Sequence, residues 1–246
     1  MIRTLAIIAA AGFLVCLAAF TAVFALGGGE VVRDGFIIPA MLERLEEGED
    51  YEPHDTPRIE KTMAWTGADA LTIEVPADVR YTQGPAASIT VSGTPRLVEQ
   101  VRVEGGRIFF TGDDHHVSWG NHRRRLVVTI TAPAVKRFDV NGSADLTIQG
   151  YDLPQLIVDI SGSGEVEATG RTTSLEVSIA GSGEADLRAL AANDASIDVA
   201  GSGEAVVNAA GAAKVSIAGS GDVTLTRPPA SLESDIDGSG DLHVED

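Results

Sequence analysis

Ten carboxylates in the later part of this chain recur at a fixed interval, and that spacing is the sequence's clearest hint of chemistry. Asp145, Glu165, Glu184, Glu204, Asp222 and Asp241 follow one another at steps of 20, 19, 20, 18 and 19 residues. Asp139, Asp159, Asp198 and Asp235 keep the same register, with Ser178 and Ser216 filling the gaps. If each interval is one turn of a coil, these residues form two outward ladders of like charge. Carboxylates held one strand apart repel, and some of their pKa values rise. A divalent cation would relieve the repulsion, and oxygen-rich clusters suit Ca²⁺, so the first six acids are Ca²⁺ candidates. The alternative is that exposed acids spread apart in water and keep a β edge soluble. The Gly-Gly-x-Gly-x-Asp nonapeptide of calcium-binding β-rolls is absent.

Other reactive side chains are less ordered. Asp113, Asp114, His115, His116 and His122 include enough nitrogen and oxygen donors for a transition metal. Adjacent histidines on a strand point to opposite faces, however, so a polar hairpin tip is the better description. Arg123, Arg124, Arg125, Lys136 and Arg137 form a basic stretch that could pair with the acidic body or touch anionic glycans or lipids. Catalysis has no distinct signature: no carboxylate pair is singled out, and there is no nucleophile elbow, P-loop or zinc motif. Arg171, Arg188, Lys214 and Arg227 do not share a column. No catalytic or cofactor-binding residue is assigned, and a polysaccharide-acting β-helix enzyme stands only as an alternative to a non-enzymatic protein.

The acids are positioned by a repeated phrase. NGSAD, SGSGE, AGSGE, AGSGE, AGSGD and DGSGD have their first glycines at Gly142, Gly162, Gly181, Gly201, Gly219 and Gly238. Such a period marks a solenoid. Two residues before each glycine stand Val140, Ile160, Ile179, Val199, Ile217 and Ile236; four before stand Phe138, Val158, Val177, Ile197, Val215 and Ser234. Four after stand Leu146, Val166, Ala185, Ala205, Val223 and Leu242; six after stand Ile148, Ala168, Leu187, Val207, Leu225 and Val244. Apolar residues alternate with polar ones on both sides of the glycine, so each repeat reads as strand, tight corner, strand and looser return. A lone rung cannot bury its apolar face, but stacked rungs can. The fold class is therefore all-β, a parallel β-helix with rungs of about 19 residues, spaced about 4.8 Å apart. The glycines supply the sharp corner. Ser143, Ser163, Ser182, Ser202, Ser220 and Ser239 would stack as a hydroxyl ladder able to bond along the axis or to local backbone.

Residues 61–137 lack the phrase but keep strand signals at Leu71–Val75, Ser88–Val91, Val101–Val103, Arg107–Phe110 and Leu126–Ile130. They read as irregular early rungs of the same stack.

Taken together, LTIEVPADVRYTQG at 71–84, SITVSGTPRLVEQVRVEGGRIFF, LVVTITAPAVKRFDVNGSADL and the later GSGE and GSGD phrases resemble the auto-transporter adhesin head GIN domain family of exported bacterial proteins. The resemblance covers roughly 61–246. It implies a parallel β-helix at the cell envelope, adhesin-like or structural, and implies no activity. The first phrase departs from the pattern by carrying Ala144 in place of the second glycine.

Composition sets further limits. The formal net charge is -18, and aromatics make up only 5% of the chain. An acidic chain is a poor partner for nucleic acid, because phosphate needs a basic surface. Cys16 is the single cysteine, so no disulfide forms within one chain. Leu5–Leu26 is nearly all apolar and long enough to span a bilayer, with Arg3 before it favouring a cytoplasmic N-terminus. A signal anchor would hold the rest outside; a cleaved signal peptide would end near Val23-Phe24-Ala25 or Ala25-Leu26-Gly27. The length of the run favours the anchor. The organisation expected is a signal anchor or signal peptide at 1–29, an acidic linker at 30–60 and the β-helical domain at 61–246. The expected product is an exported protein of the periplasm or cell surface, membrane-anchored or secreted, with a glycan or protein surface ligand. A homo-oligomer is a further expectation, since an uncapped β-helix end exposes core and backbone.

Overall fold

A computed structural model describes residues 58–65, 69–111 and 126–246, all in the unit Thr56–Asp246. The apolar segment Leu5–Leu26 with Cys16, the linker up to residue 57, and Asp113, Asp114, His115, His116, His122 and Arg123–Arg125 lie outside the described residues.

The alternating repeat folds as its periodicity dictates. β10 (Gln155–Gly162) runs into the corner Gly162-Ser163-Gly164 and continues as β11 (Glu165–Gly181). β11 and β12 (Glu184–Gly201) are long because each follows one face of the coil, bends, and joins the other face; the register between them shifts between Glu167 and Gly170. One face stacks β2 (Ala70–Ile73), β8 (Arg137–Gly142), β10, the later halves of β11 and β12, β14 (Ala212–Gly219) and β16 (Ser231–Gly238), all parallel. The opposite face stacks β3 (Ala77–Gln83), β9 (Asp145–Asp152), the first parts of β11 and β12, β13 (Glu204–Ala209), β15 (Asp222–Leu225) and β17 (Leu242–Val244). The six corner glycines pair in unbroken register from Gly142 to Gly238.

The corner shows why glycine recurs. Gly201 sits at φ +125°, and a Cβ there would lie 2.4 Å from the Gly181 carbonyl oxygen in the rung below. A Cβ on Gly203 would meet Ile179 Cγ2 at 2.6 Å and the Gly183 oxygen at 2.7 Å. Close approach lets the backbone ladder continue round the bend: the Ser202 N–H donates to Gly181 O at 2.8 Å and the Glu204 N–H to Gly183 O at 3.0 Å. The same bonds recur one rung down, from Ser182 to Gly162 and from Glu184 to Gly164. This backbone ladder takes the place of the expected hydroxyl ladder. The corner serines are exposed, and none of their hydroxyls makes a hydrogen bond among the described residues.

The inward files enclose the core. Val140, Ile160, Ile179, Val199 and Ile217 are buried, as are Phe138, Val158, Val177, Ile197 and Val215 on the same face. The opposite face contributes Leu146, Val166, Ala185, Ala205 and Val223. Toward the N-terminal end the lumen is filled by aromatics. Tyr81, Phe138 and Tyr151 meet edge to face, with centroids 5.0 and 6.4 Å apart. The tyrosine hydroxyls donate to the backbone oxygens of Ala132 at 2.8 Å and Gln155 at 2.5 Å, so their burial leaves no polar group stranded.

The segment before the repeats adds a true rung and a closure. β2 and β3 stack in register beneath β8 and β9, although Val75-Pro76-Ala77 stands where later rungs have Gly-Ser-Gly. Beyond them β7 (Leu126–Ala132) pairs in parallel with β3, and β6 (Arg107–Phe110) with β2. Then the direction reverses: β4 (Ser88–Gly93) runs antiparallel to β7, β1 (Ile59–Ala64) to β4, and β5 (Val101–Glu104) to β6. A short helix, α1 (Pro95–Gln100), links β4 to β5 and buries Leu97 and Val98. The strands-only expectation for 61–137 lacks this helix, and Pro95 in its first turn is the local start signal. The last rung differs too: in β16 every residue is exposed, with Leu232 at 44% and Ile236 at 42%.

Candidate functional site

The six Ca²⁺ candidates form a real column. Asp145, Glu165, Glu184, Glu204 and Asp222 are register partners rung by rung, and the Asp241 N–H donates to the Asp222 carboxylate at 3.0 Å. The column starts one rung earlier than the repeat suggests, because Asp78 pairs in register with Asp145. Alternation in Ala77–Gln83 carried that signal, but no glycine corner marked it. In the middle of the column partial burial, followed by repulsion from Glu184, Asp145, Glu167 and Asp186, raises the Glu165 carboxyl above its ordinary pKa. Among the described residues, no three acidic, histidine or cysteine side chains converge on one point in a way that could hold a metal ion.

The second column runs Thr72, Asp139, Asp159, Ser178, Asp198, Ser216, Asp235. Only Asp139 and Asp159 are adjacent acids. Thr72 Oγ1 donates to Asp139 at 3.0 Å, and Arg137 bonds Asp159 while lying 3.6 Å from Asp139. Burial is the largest influence on Asp159; with the nearby Asp139 and Glu176 it outweighs Arg137 and raises the carboxyl.

Bases meet acids across rungs and not in a column. Arg171 forks onto Asp152 with both bonds at 2.8 Å, which holds the Asp152 carboxyl below its ordinary pKa. Lys214 reaches Glu233 at 4.0 Å, and Arg107 bonds Glu74. These exposed pairs are weak individually. In these pairs acid and base sit on neighbouring rungs, whereas Arg188 pairs with Asp186 on its own strand, at 2.8 Å.

A groove of about 500 Å³ crosses the outer face of β11, β12, β14 and β16. Ser174, Glu176, Asp194, Ser196, Lys214 and Glu233 line it above a floor that includes Ala195 and Ala213. The floor is the backbone of this inward-facing file, and the stack brings hydroxyl, carboxylate and ammonium groups to outward positions on either side of it. The sequence did not disclose the groove, because its lining comes from four repeats at positions where the side chains differ. Its chemistry suits hydrogen bonding to an extended polar ligand.

A family model described as "Putative auto-transporter adhesin, head GIN domain" matches residues 69–229. A crystal structure of a "putative adhesin" from Bacteroides fragilis is 16% identical, covers 76% of this chain and 97% of its own, and superposes with a TM-score of 0.61. Another, from Parabacteroides distasonis, is 19% identical, covers 77% and 98%, and has a TM-score of 0.50. At these identities the likeness is one of fold. No curated protein matches the chain.

Proposed function

The chain belongs to the auto-transporter adhesin head GIN domain family, and from that premise we propose that it is a non-enzymatic, exported cell-envelope protein with an adhesin-like role. Its apolar N-terminal segment delivers the β-helix to the periplasm or cell surface, as a membrane anchor or as a cleaved signal. The helix then presents its outward faces to a glycan or protein ligand. The supporting observation is the groove across four rungs, whose serine, carboxylate and lysine side chains are held in register by the backbone ladder. Rigid strands pre-organise such groups, and pre-organisation lowers the entropic cost of holding a ligand.

The test has two parts. Fractionating cells and sequencing the mature N-terminus locates the chain and decides between anchor and signal. Screening the full chain against glycan arrays and envelope proteins, beside Lys214→Glu and Glu176→Ala, then tests the groove. Binding reduced by both variants supports the reading. A cytoplasmic chain, absence of any binding partner, or release of products from uronic-acid polymers would overturn it.

A further inference from the structure

Three large apolar side chains are exposed among the described residues: Ile59, Leu232 and Ile236. Two of them lie on one strand. Leu232 ends the file Leu156, Leu175, Ala195, Ala213, and Ile236 ends the file Ile160, Ile179, Val199, Ile217. Every earlier member is buried because a following rung covers it.

β16 pairs with β14 along all eight residues, Ser231–Gly238, without a bulge, and with no strand on its other side among the described residues. Edge strands are usually blunted by lysine, proline or a bulge. The sequence of β16, SLESDIDG, has no lysine, proline or bulge, and only its acids guard the edge. Its outward side chains, Glu233, Asp235 and Asp237, are acidic and exposed. An antiparallel second copy on this edge would set those acids against their own kind, which is destabilising. Within the stack, acids are answered differently: Arg137 on β8 bonds Asp159 on β10, Arg171 on β11 bonds Asp152 on β9, and Lys214 on β14 reaches Glu233 itself.

We propose that the free edge of β16 is a docking surface for an extended basic segment of a partner protein. The segment adds as one further parallel or antiparallel strand of about eight residues, or roughly 26 Å. Its branched aliphatic side chains cover Leu232 and Ile236, and lysines or arginines on alternate positions meet Asp235 and Asp237. Backbone bonds supply the affinity and the alternating side chains supply the choice of partner. This surface adjoins the outer groove, with which it shares Leu232 and Glu233, but its partner is held by the backbone edge of β16.

The probe is a synthetic peptide, Lys-Val-Lys-Ile-Lys-Val-Lys, titrated into the full chain by fluorescence anisotropy and followed by amide hydrogen exchange. The expected result is saturable binding that slows exchange in residues 232–237. It should weaken at least tenfold in Asp235→Asn/Asp237→Asn, vanish in Ile236→Lys, and be absent for a peptide with glutamate in place of lysine. The doubly neutralised variant keeps the test decisive if Ile236→Lys misfolds. No binding would overturn the proposal. So would binding that leaves β16 exchange unchanged, which would mean adherence to the acidic columns. Self-association abolished by Ile236→Lys would make a second copy the occupant and equally overturn it. Ligand binding that survives Lys214→Glu and Glu176→Ala, with peptide binding retained, would sink only the groove reading.

Discussion

Replacing Gly201 by alanine separates the two demands that the corner makes of glycine. The first is conformational: φ is +125° at Gly201, a region that L residues seldom occupy, and holding one there costs of order 1–3 kcal/mol. The second is steric: the new Cβ would lie 2.4 Å from the Gly181 oxygen, well inside contact distance. Relief requires the rungs to part locally, which loosens the 2.8 Å bond from Ser202 N–H to Gly181 O, worth about 1 kcal/mol net. The combined loss for Gly201→Ala is about 2–4 kcal/mol. Gly142 is the internal control. Its φ is +101°, but nothing lies within 4 Å of an added Cβ, so Gly142→Ala pays the conformational term alone. Ser202→Ala touches an exposed side chain without a hydrogen bond and should stay within about 0.5 kcal/mol of wild type. Urea unfolding followed by circular dichroism ranks the three, and hydrogen exchange at Ser202 and Glu204 shows whether the rung opens locally. Gly201→Val should be worse than alanine. If Gly201→Ala and Gly142→Ala lose the same stability, close rung approach is not what keeps glycine at this corner.

Other outcomes follow from the same geometry. Ile179→Ala, inside a buried file, should destabilise by about 2–5 kcal/mol, whereas Ile236→Ala on the exposed last rung should cost well under half as much; equal losses by thermal melting would contradict the open edge. Glu165 and Asp159 have raised carboxyl pKa values, so the folded chain binds their protons more tightly than the unfolded chain. Stability should therefore rise as pH falls from neutrality through their folded values toward the ordinary 4.5 and 3.8. It should decline below 3.8, as Asp152 loses its pairing with Arg171. A Tm that only falls as the pH is lowered from neutrality toward 4.5 would refute this. Millimolar Ca²⁺ and Mg²⁺ at equal ionic strength should raise Tm alike, since the column shows no converging ligand set; a calorimetric signal for Ca²⁺ alone would reveal a specific site. Glu184→Ser should stabilise the chain at low salt and lose that advantage at high salt, and a salt-independent effect would exclude charge repulsion as its cause.

The repeating part of the fold was legible because side-chain alternation and a corner glycine are both local properties. Val140 to Ile217 and Leu146 to Val223 fall inside for the same reason in each rung. The first rung was harder to read, since Val75-Pro76 makes its corner without glycine. α1 and the antiparallel β1, β4 and β5 depend on how the chain closes the stack, and no periodicity records that. The serine column shows the limit of residue-type reasoning. A repeated hydroxyl suggested a side-chain ladder, yet the backbone N–H groups of the same serines make the bonds. Exposure of Leu232 and Ile236 was equally hidden, because their sequence pattern matches that of their buried counterparts.

The two acidic columns carry different electrostatic loads, and the serines explain why. At one-rung spacing, about 4.8 Å, two carboxylates in water repel by about 0.9 kcal/mol before screening. Ser178 and Ser216 double the separation of Asp159, Asp198 and Asp235 to roughly 9.6 Å, beyond the Debye length of about 8 Å at physiological salt. That column is charge-diluted everywhere except at Asp139 and Asp159, where Arg137 supplies the missing compensation. The column from Asp78 to Asp241 has no such dilution. Its acids follow directly on the corner, where the N–H groups of Glu165, Glu184, Glu204 and Asp222 tie each rung to the one beneath. Repulsion between side chains thus acts beside a backbone bond in every rung, and a regular stack tolerates it. A strand laid on β16 would inherit the same field with its own charges free to differ, so the acidic edge selects a basic partner over another copy of itself.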